Sequence, residues 1–311
     1  MIVKIENLVK SYKNGVQALK GVSFQVREGE IFGLLGPNGS GKTTCINCIL
    51  ALLKYNQGKI EVFDEKILPN SYHLKQKIGV ITQNVAVFEE LTVYENIDYF
   101  CGLYVRDRKL RKKLVEEAIT FVALDEFRTF YPKKLSGGLL RRLHIACGIA
   151  HKPKLIILDE PTVAVDPQSR NRILEGIKKL NEEGATIIYT SHYMEEVEQL
   201  CDYILIMDKG EVIAEGSKEE IKNLIDLGET IEIELINPNE NVLEDILKID
   251  NVYQAYLKDK LLIVKSKKGR TNIPHVLNAL QTHQIGFEKI YSELPTLNDV
   301  FLTITGKKLR D

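Results

Sequence analysis

The chain has 311 residues, 44% of them hydrophobic, and its 42 basic and 43 acidic side chains leave a formal net charge of −1 at pH 7. Such a balance gives no general attraction to nucleic acid, so no nucleic-acid partner is expected. No apolar run approaches the roughly 18 residues that a membrane-spanning helix requires, and the opening residues lack the apolar core of a signal peptide. We therefore expect a cytosolic chain with reduced cysteines.

The first strong signal along the chain is a glycine-rich loop between a strand and a helix. The apolar run Ile31–Leu35 predicts a buried strand, and a helix is expected from about Thr43. Glycines let the backbone approach phosphate groups, and the helix N-terminus adds N–H donors and partial positive charge. Lys42 is expected to reach the β- and γ-phosphates, and the Thr43 hydroxyl to ligate Mg²⁺. The predicted nucleotide-binding residues of this loop are Gly36, Pro37, Asn38, Gly39, Ser40, Gly41, Lys42, Thr43 and Thr44.

A mostly helical segment is predicted over about residues 84–150. A strand over residues 79–83 precedes it and ends in Gln83, and the Thr92-x-x-Glu95 pattern is a capping box that marks a helix start. The basic run at residues 106–113 is best explained as the solvated face of a helix.

Within that segment a second anion site is predicted. Ser136 is a good N-cap, Gly137 and Gly138 follow it, and the next residues carry a helical apolar stripe. The free N–H groups of such a first turn can bind an anion. The chain thus has two phosphate-binding features where one nucleotide would need only one.

Polar side chains end the next two predicted strands. The apolar run at residues 155–158 is followed by Asp159 and Glu160, at the strand end where ligands bind in open α/β sheets. A phosphate-bound Mg²⁺ would need a hard oxygen ligand there. A β-rich run at residues 186–190 leads in the same way into Ser191 and His192.

Taken in this order, these four motifs resemble the ATP-binding cassette (ABC) ATPases over roughly the first two thirds of the chain. The resemblance implies an α/β fold, a P-loop NTPase cassette with a mostly parallel sheet core, an antiparallel β subdomain and a helical subdomain. It also implies ATP and Mg²⁺ as the cofactors.

The resemblance further implies a role for each matching residue. Asp159 would hold Mg²⁺ through water, and Glu160 would be the general base for the attacking water. His192 would contact the γ-phosphate, and Gln83 would join Mg²⁺ and water to the transport partner. Tyr12 would lie under the adenine ring; the alternative is a half-buried strand tyrosine. The predicted catalytic residues are Glu160, His192 and Lys42, and the predicted Mg²⁺ ligands are Thr43, Gln83 and Asp159.

ABC ATPases dimerise head to tail, which would explain the second anion site. Ser136, Gly137 and Gly138 of one subunit would close on the γ-phosphate held by the other, in a homodimer or with a paired ATPase subunit. Asp166 would lie in the dimer-interface loop, and it is also a suitable N-cap before a proline. Leu139 stands where the family often has Gln, and a leucine side chain cannot hydrogen-bond to nucleotide.

The remaining chain predicts a second domain. We place the ATP-binding domain at residues 1–218, with its helical subdomain at about 84–150, and an accessory α+β domain at residues 219–311. The accessory domain has the predicted order βαββαβα, which is typical of a ferredoxin-like sandwich. It carries no catalytic constellation, so a regulatory or dimer-supporting role is expected.

Residues 294–306 resemble the C-terminal tail of ATPases in ABC-2-type exporters, which move drugs, antibiotics, polysaccharides or ions. The predicted function is an ATPase subunit that energises a membrane exporter. It would be peripheral at the cytoplasmic face of the cell membrane, held there by a transmembrane permease. The alternative is a soluble ABC ATPase without a membrane partner, for example of the iron–sulfur cluster assembly type.

Overall fold

The structure, a computed structural model, describes residues 1–306. These residues form two compact units, Met1–Lys218 and a second unit that begins at Glu219. Among the residues described, no helix combines the length and the apolar character needed to span a membrane.

The first unit contains two sheets. Its strands in chain order are β1 (Val3–Ser11), β2 (Gln17–Val26), β3 (Ile31–Leu35), β4 (Gln57–Val62), β5 (Glu65–Lys66), β6 (Ile78–Ile81), β7 (Leu155–Asp159), β8 (Thr186–Ser191), β9 (Tyr203–Asp208) and β10 (Glu211–Ser217). A four-stranded antiparallel sheet has the order β2-β1-β4-β5. A six-stranded sheet has the order β10-β9-β3-β8-β7-β6 and is parallel apart from the β9–β10 pair.

The central strands of the larger sheet set the position of the site. Every residue of β3, β7 and β8 is buried, which explains why these runs are almost continuously apolar and do not alternate with polar residues. Because the three strands are parallel neighbours, their carboxyl ends meet at one edge of the sheet. The loops that follow them therefore lie side by side.

The helices of this unit are α1 (Lys42–Ile49), α2 (Tyr72–Lys75), α3 (Val93–Gly102), α4 (Arg108–Phe121), α5 (Gly137–Ile149), α6 (Pro167–Glu182) and α7 (Met194–Leu200). Four of them, α3 to α6, begin at a residue whose side chain caps the first turn. The capping box predicted at Thr92 and Glu95 is confirmed, with both reciprocal hydrogen bonds present. Helices α3, α4 and α5 pack against one another, and residues 84–92 lead into them without helical structure.

One strand end differs from its prediction. The strand predicted to reach Gln83 ends at Ile81, the last residue of β6 that pairs with β7. The carbonyls of Thr82 and Gln83 instead accept hydrogen bonds from the Arg141 guanidinium, at 2.9 and 2.7 Å. Because β6 is the edge strand, a side chain from α5 can occupy these carbonyls, and the chain leaves the sheet two residues early.

The second unit has the predicted βαββαβα order after a short helix, α8 (Lys218–Lys222). Its further elements are β11 (Thr230–Leu235), α9 (Val242–Leu247), β12 (Val252–Lys258), β13 (Leu261–Ser266), α10 (Ile273–Thr282), β14 (Phe287–Glu293) and α11 (Leu297–Thr305). The sheet order is β12-β13-β11-β14, with every neighbouring pair antiparallel. This arrangement is the ferredoxin-like one.

The core of the second unit follows from strand alternation. Ile231, Ile233 and Leu235 on β11 are buried, and the residues between them are only half-buried. They join Val242 and Ile246 of α9 in a single apolar cluster. One face of the sheet is therefore covered by helices, as the amphipathic pattern requires.

Candidate functional site

The loop between β3 and α1 is shaped for a ligand that approaches the backbone closely. Gly39 and Gly41 have left-handed backbone conformations, with φ of 80° and 109°. A Cβ at Gly36 would lie 2.3 Å from the Met207 carbonyl oxygen, and one at Gly41 would lie 2.7 Å from that of Ala18. The Ser40 hydroxyl is buried and has no partner. Only glycine fits at these positions, and the loop keeps a free polar group of its own.

Lys42 folds back over this loop. Its ammonium is only 4% exposed and donates to the Gly36 and Pro37 carbonyls at 2.7 and 3.2 Å. It also lies 3.4 Å from Glu160 Oε1. Burial lowers the pKa of Lys42, while the neighbouring carboxylates of Glu160 and Asp159 oppose that shift. An anionic phosphate is a stronger acceptor for this buried ammonium than the two neutral carbonyls are, so it could replace them.

Asp159 and Thr43 meet although they are far apart in the sequence. The Thr43 hydroxyl at the start of α1 donates to Asp159 Oδ2 at 3.0 Å. Thr190, at the end of β8, donates from its hydroxyl to Asp159 Oδ1 at 2.6 Å. The carboxylate at the end of β7 is thus held in one orientation, with one oxygen beside the phosphate loop.

Glu160 is the point on which three other predicted residues converge. The Gln83 amide nitrogen donates to Glu160 Oε2 at 3.4 Å. His192 Nδ1 lies 3.3 Å from the same oxygen, a contact without hydrogen-bond geometry, and Lys42 lies beside Oε1. The Glu160 side chain is 6% exposed. A buried carboxylate is therefore placed between an ammonium, an amide and an imidazole.

The backbone at Glu160 is also held in an uncommon conformation. Its φ is 49°, in the left-handed region that non-glycine residues seldom adopt. Its N–H donates to both the carbonyl and the hydroxyl oxygen of Thr190, at 3.2 and 3.0 Å. Such local strain is maintained only when surrounding contacts fix it, and it is common at functional sites.

Tyr12 lies beside the phosphate loop, following β1. Its hydroxyl is 3.2 Å from the Thr44 hydroxyl, and the residue is 40% exposed. The Lys10 ammonium stands 5.2 Å from the ring centroid. An aromatic ring with open surface next to a phosphate loop is suited to stacking on a base.

The residues predicted to act in trans form a second cluster at the starts of α5 and α6. Ser136 caps α5 through the Leu139 N–H at 3.3 Å, and Asp166 caps α6 through the Ser169 N–H at 2.9 Å. Ser136 and Gly137 are exposed, whereas Gly138 is buried. The backbone of Leu139 thus completes the cap. The open first turn of α5 faces solvent.

Sequence reasoning missed two residues that shape the site. Thr190 orients Asp159 and the backbone of Glu160. Arg141 ties α5 to the consecutive carbonyls of Thr82 and Gln83. The sequence offered two signals for them. Thr190 directly precedes Ser191, and Arg141 and Arg142 stand together in an otherwise apolar helix.

This geometry defines a P-loop ATPase cassette, and comparison with known proteins gives the family. The family described as "ABC transporter" matches residues 19–163, and that described as "ATP-binding protein DrrA1-3-like, C-terminal domain" matches residues 216–305. The linearmycin resistance ATP-binding protein LnrL of Bacillus subtilis (strain 168) is 39% identical over 100% of both chains. The Nod factor export ATP-binding protein I of Burkholderia orbicola (strain AU 1054) is 31% identical, over 99% of this chain and 98% of its own.

A solved structure shares the cassette fold. The dimeric post-hydrolysis state of an ATP-binding cassette bound to ADP and Pi matches with a TM-score of 0.64 at 31% identity, covering 70% of this chain and 98% of the other. The chain therefore belongs to the ABC transporter ATP-binding proteins, in the group that serves exporters. It is an ATPase subunit that couples ATP hydrolysis to transport. The predicted fold and function are confirmed, and the full-length matches decide against the soluble iron–sulfur assembly type.

Proposed function

We propose that ATP binds with its phosphates on the loop at residues 36–44 and that Glu160 is the general base for hydrolysis. The observation that carries this proposal is the convergence of Lys42, Gln83 and His192 on one buried carboxylate. Lys42 exchanges its carbonyl partners for the β- and γ-phosphates. Glu160 then accepts the proton of the attacking water, while His192 contacts the γ-phosphate. Tyr12 stacks against the adenine.

The donor set beside the loop also suits Mg²⁺. A hydroxyl from Thr43, a carboxylate from Asp159 and an amide from Gln83 are the hard oxygen donors that this cation prefers, and the first two are already 3.0 Å apart. When bound, Mg²⁺ would neutralise charge on the phosphates. Thr190 keeps Asp159 turned toward Thr43, so the pair needs little rearrangement.

The test of this assignment is Glu160→Gln. The variant keeps the side-chain size but removes the basic carboxylate, so it should bind MgATP and lose most turnover. It should then accumulate as a dimer with trapped nucleotide, as seen by gel filtration with ATP. Glu183→Gln, at the exposed end of α6, is the matched control. Near-normal hydrolysis by Glu160→Gln would remove Glu160 from the role of base.

We propose further that Ser136, Gly137 and Gly138 act on the nucleotide of a partner subunit, in a homodimer or beside a second ATPase chain. The exposed first turn of α5 supports this, because free N–H groups at a helix start attract an anion. We assign the neighbouring Asp166, which caps α6, to the same interface. The dimeric cassette with bound ADP and Pi is a related arrangement.

We infer that the dimer works at the cytoplasmic face of the cell membrane, held by a transmembrane permease. We also infer an antibiotic-like small molecule as cargo, because the 39% identical relative bears the name of a linearmycin resistance protein. Purification of the tagged chain from membranes should recover a multi-span partner. Deletion of the gene should sensitise cells to at least one such antibiotic. An unchanged sensitivity across a broad panel would contradict the cargo class.

For the unit that begins at Glu219 we propose a regulatory or dimer-supporting role. It has its own apolar core, so removing it should leave the cassette folded. A chain ending at Lys218 should bind ATP with little loss of affinity but lose ATP-driven dimerisation or transport. Full transport by this shortened chain would show the unit to be dispensable. Loss of ATP binding by the folded chain would show that it helps build the ATP site.

A further inference from the structure

A second buried carboxylate lies behind the site. Glu196 on α7 is 1% exposed, and its Oε2 accepts from the Tyr189 hydroxyl at 2.7 Å and the Ser191 hydroxyl at 2.8 Å. Its Oε1 forms an ion pair with Arg170 Nε at 2.6 Å, without hydrogen-bond geometry. Burial and the charge of Glu196 raise the pKa of Tyr189 well above its usual value, so the phenol stays a donor. A buried charge is costly unless it is paired and hydrogen-bonded, and Glu196 is both.

The partners of Glu196 control the turn that carries His192. Ser191 directly precedes His192, and its hydroxyl also accepts from the Tyr193 N–H at 2.9 Å, which closes the turn. The Tyr193 ring lies 4.1 Å from the His192 ring, between centroids. The Arg170 guanidinium lies over the Tyr193 ring, 4.8 Å from its centroid. Glu196 is therefore connected to His192 through the Ser191 hydroxyl and through the contacts of Arg170 and the Tyr193 ring.

The same carboxylate reaches the loop between Glu160 and Asp166. The Tyr189 hydroxyl is 3.5 Å from the hydroxyl of Thr162, two residues beyond Glu160. Arg170 lies in the first turns of α6, and its N–H bonds the Asp166 carbonyl at 2.9 Å. The loop at residues 160–166 is thus connected to Glu196 at Thr162, through Tyr189, and at Asp166, through Arg170.

We propose that Glu196 is a positioning residue. Its contacts hold His192 and the loop at residues 160–166 in a fixed position relative to each other. The inference rests on the proposed function, in which His192 contacts the γ-phosphate of its own subunit. The loop at residues 160–166 there contributes Asp166 to the interface with the partner subunit. Glu196, at 1% exposure, acts through its protein partners. It fixes the separation of His192 from Glu160, now 3.3 Å between Nδ1 and Oε2, and it fixes Asp166 relative to both.

The ionised carboxylate is essential to this role because all its partners are donors. Glu196→Gln has the same size, but its amide must turn one N–H₂ toward a donor. With the amide nitrogen toward Arg170 the ion pair is lost, and with it toward Tyr189 and Ser191 both hydroxyls must reverse. A misplacement of about 1 Å at a catalytic group can lower a rate by roughly 10²-fold. Binding of ATP, which depends on the phosphate loop, should change little.

The experiment measures ATP hydrolysis and ATP affinity separately. For Glu196→Gln we expect kcat to fall by roughly 10–100-fold, while the affinity for a fluorescent ATP analogue stays within about 2-fold and the Hill coefficient for ATP falls toward one. Ser191→Ala, which removes one donor, should give a smaller fall in kcat. Single-turnover hydrolysis of labelled ATP by His192→Ala, with and without Glu196→Gln, tests whether the two act as one unit.

Each outcome separates this inference from the proposed function. A wild-type protein without ATPase activity would overturn the proposed function itself. If the wild type is active and Glu196→Gln leaves kcat unchanged, the inference alone is overturned. It is also overturned if the fold-decrease in rate of the double variant equals the product of the fold-decreases of Glu196→Gln and His192→Ala. If Glu196→Gln does not fold, Ser191→Ala decides, and a normal kcat in that variant overturns the inference.

Discussion

Replacing Gly138 with alanine should destabilise the cassette, because the start of α5 has no room for a methyl group. A Cβ there would lie 2.2 Å from Ser169 Oγ, 2.7 Å from Ser169 Cβ and 3.0 Å from Asp166 Oδ2. Overpacking of this kind costs about 1–3 kcal/mol. Helix propensity acts in the other direction and favours alanine over glycine by about 1 kcal/mol. The difference leaves a net destabilisation of roughly 0–2 kcal/mol, and the 2.2 Å contact places it toward the upper end of that range.

A second variant isolates the cause. Ser169→Gly removes the two nearest atoms, so Gly138→Ala in that background should be neutral or stabilising by up to about 1 kcal/mol. The coupling between the two changes should then be about 1–3 kcal/mol. Urea unfolding of the full chain followed by far-UV circular dichroism is a suitable assay, since the chain has no tryptophan.

The same variants report on the cluster predicted to act in trans. Gly138→Ala pushes on the cap made by Asp166, so ATP hydrolysis should fall and the Ser169→Gly background should restore part of it. If Gly138→Ala destabilises equally in both backgrounds, the clash with Ser169 is not the cause. The packing argument for this helix start would then be wrong.

Three further predictions follow from single features of the site and core. Mixing Lys42→Ala and Ser136→Arg subunits should restore some ATPase activity through one intact composite site, and proven heterodimers without rescue would contradict sharing. Tyr12→Ala should weaken ATP binding by about 1–3 kcal/mol, measured by titration calorimetry, while Tyr12→Phe should bind nearly normally; equal losses in both would exclude stacking. Burial lowers the pKa of His144 to about 4, from 6.5 in the unfolded chain, and Arg141 acts in the same direction. The neutral ring thus stabilises the fold above pH 6.5, and this contribution is lost as the pH falls toward 4. His144→Leu should therefore reduce the stability difference between pH 7 and 4.5 by about 2–3 kcal/mol in urea unfolding, and an unchanged difference would refute the assignment.

The parts of the site that could be predicted from the sequence are those whose chemistry is local. The loop at residues 36–44 needs glycines next to Lys42, and these neighbours are consecutive in the chain. Asp159 could be placed because a buried parallel strand puts its following residue at the ligand edge. The order of strands and helices along the second unit could be predicted in the same way, from the alternation of apolar residues and from turn residues.

What could not be predicted depends on long-range contacts. Thr190 bonds Asp159 across 31 residues, and Arg141 bonds the carbonyls of Thr82 and Gln83 across 59 and 58 residues. A periodic pattern says that Arg141 lies on a helix, but it does not say which loop meets that face. The early end of β6 could not be predicted for the same reason, because the competing donor, Arg141, is distant in the sequence.

The exposed first turn of α5 has a kinetic consequence. If Ser136 and Gly137 complete only a partner's site, an isolated subunit owns no whole site, and its specific activity must rise with protein concentration. Dilute assays would then report little hydrolysis from a fully folded protein. A permease that holds two copies side by side replaces bulk concentration with a local effective concentration that can reach the millimolar range. Subunits that are not bound to a permease would therefore hydrolyse little ATP, and hydrolysis would be confined to assembled exporters.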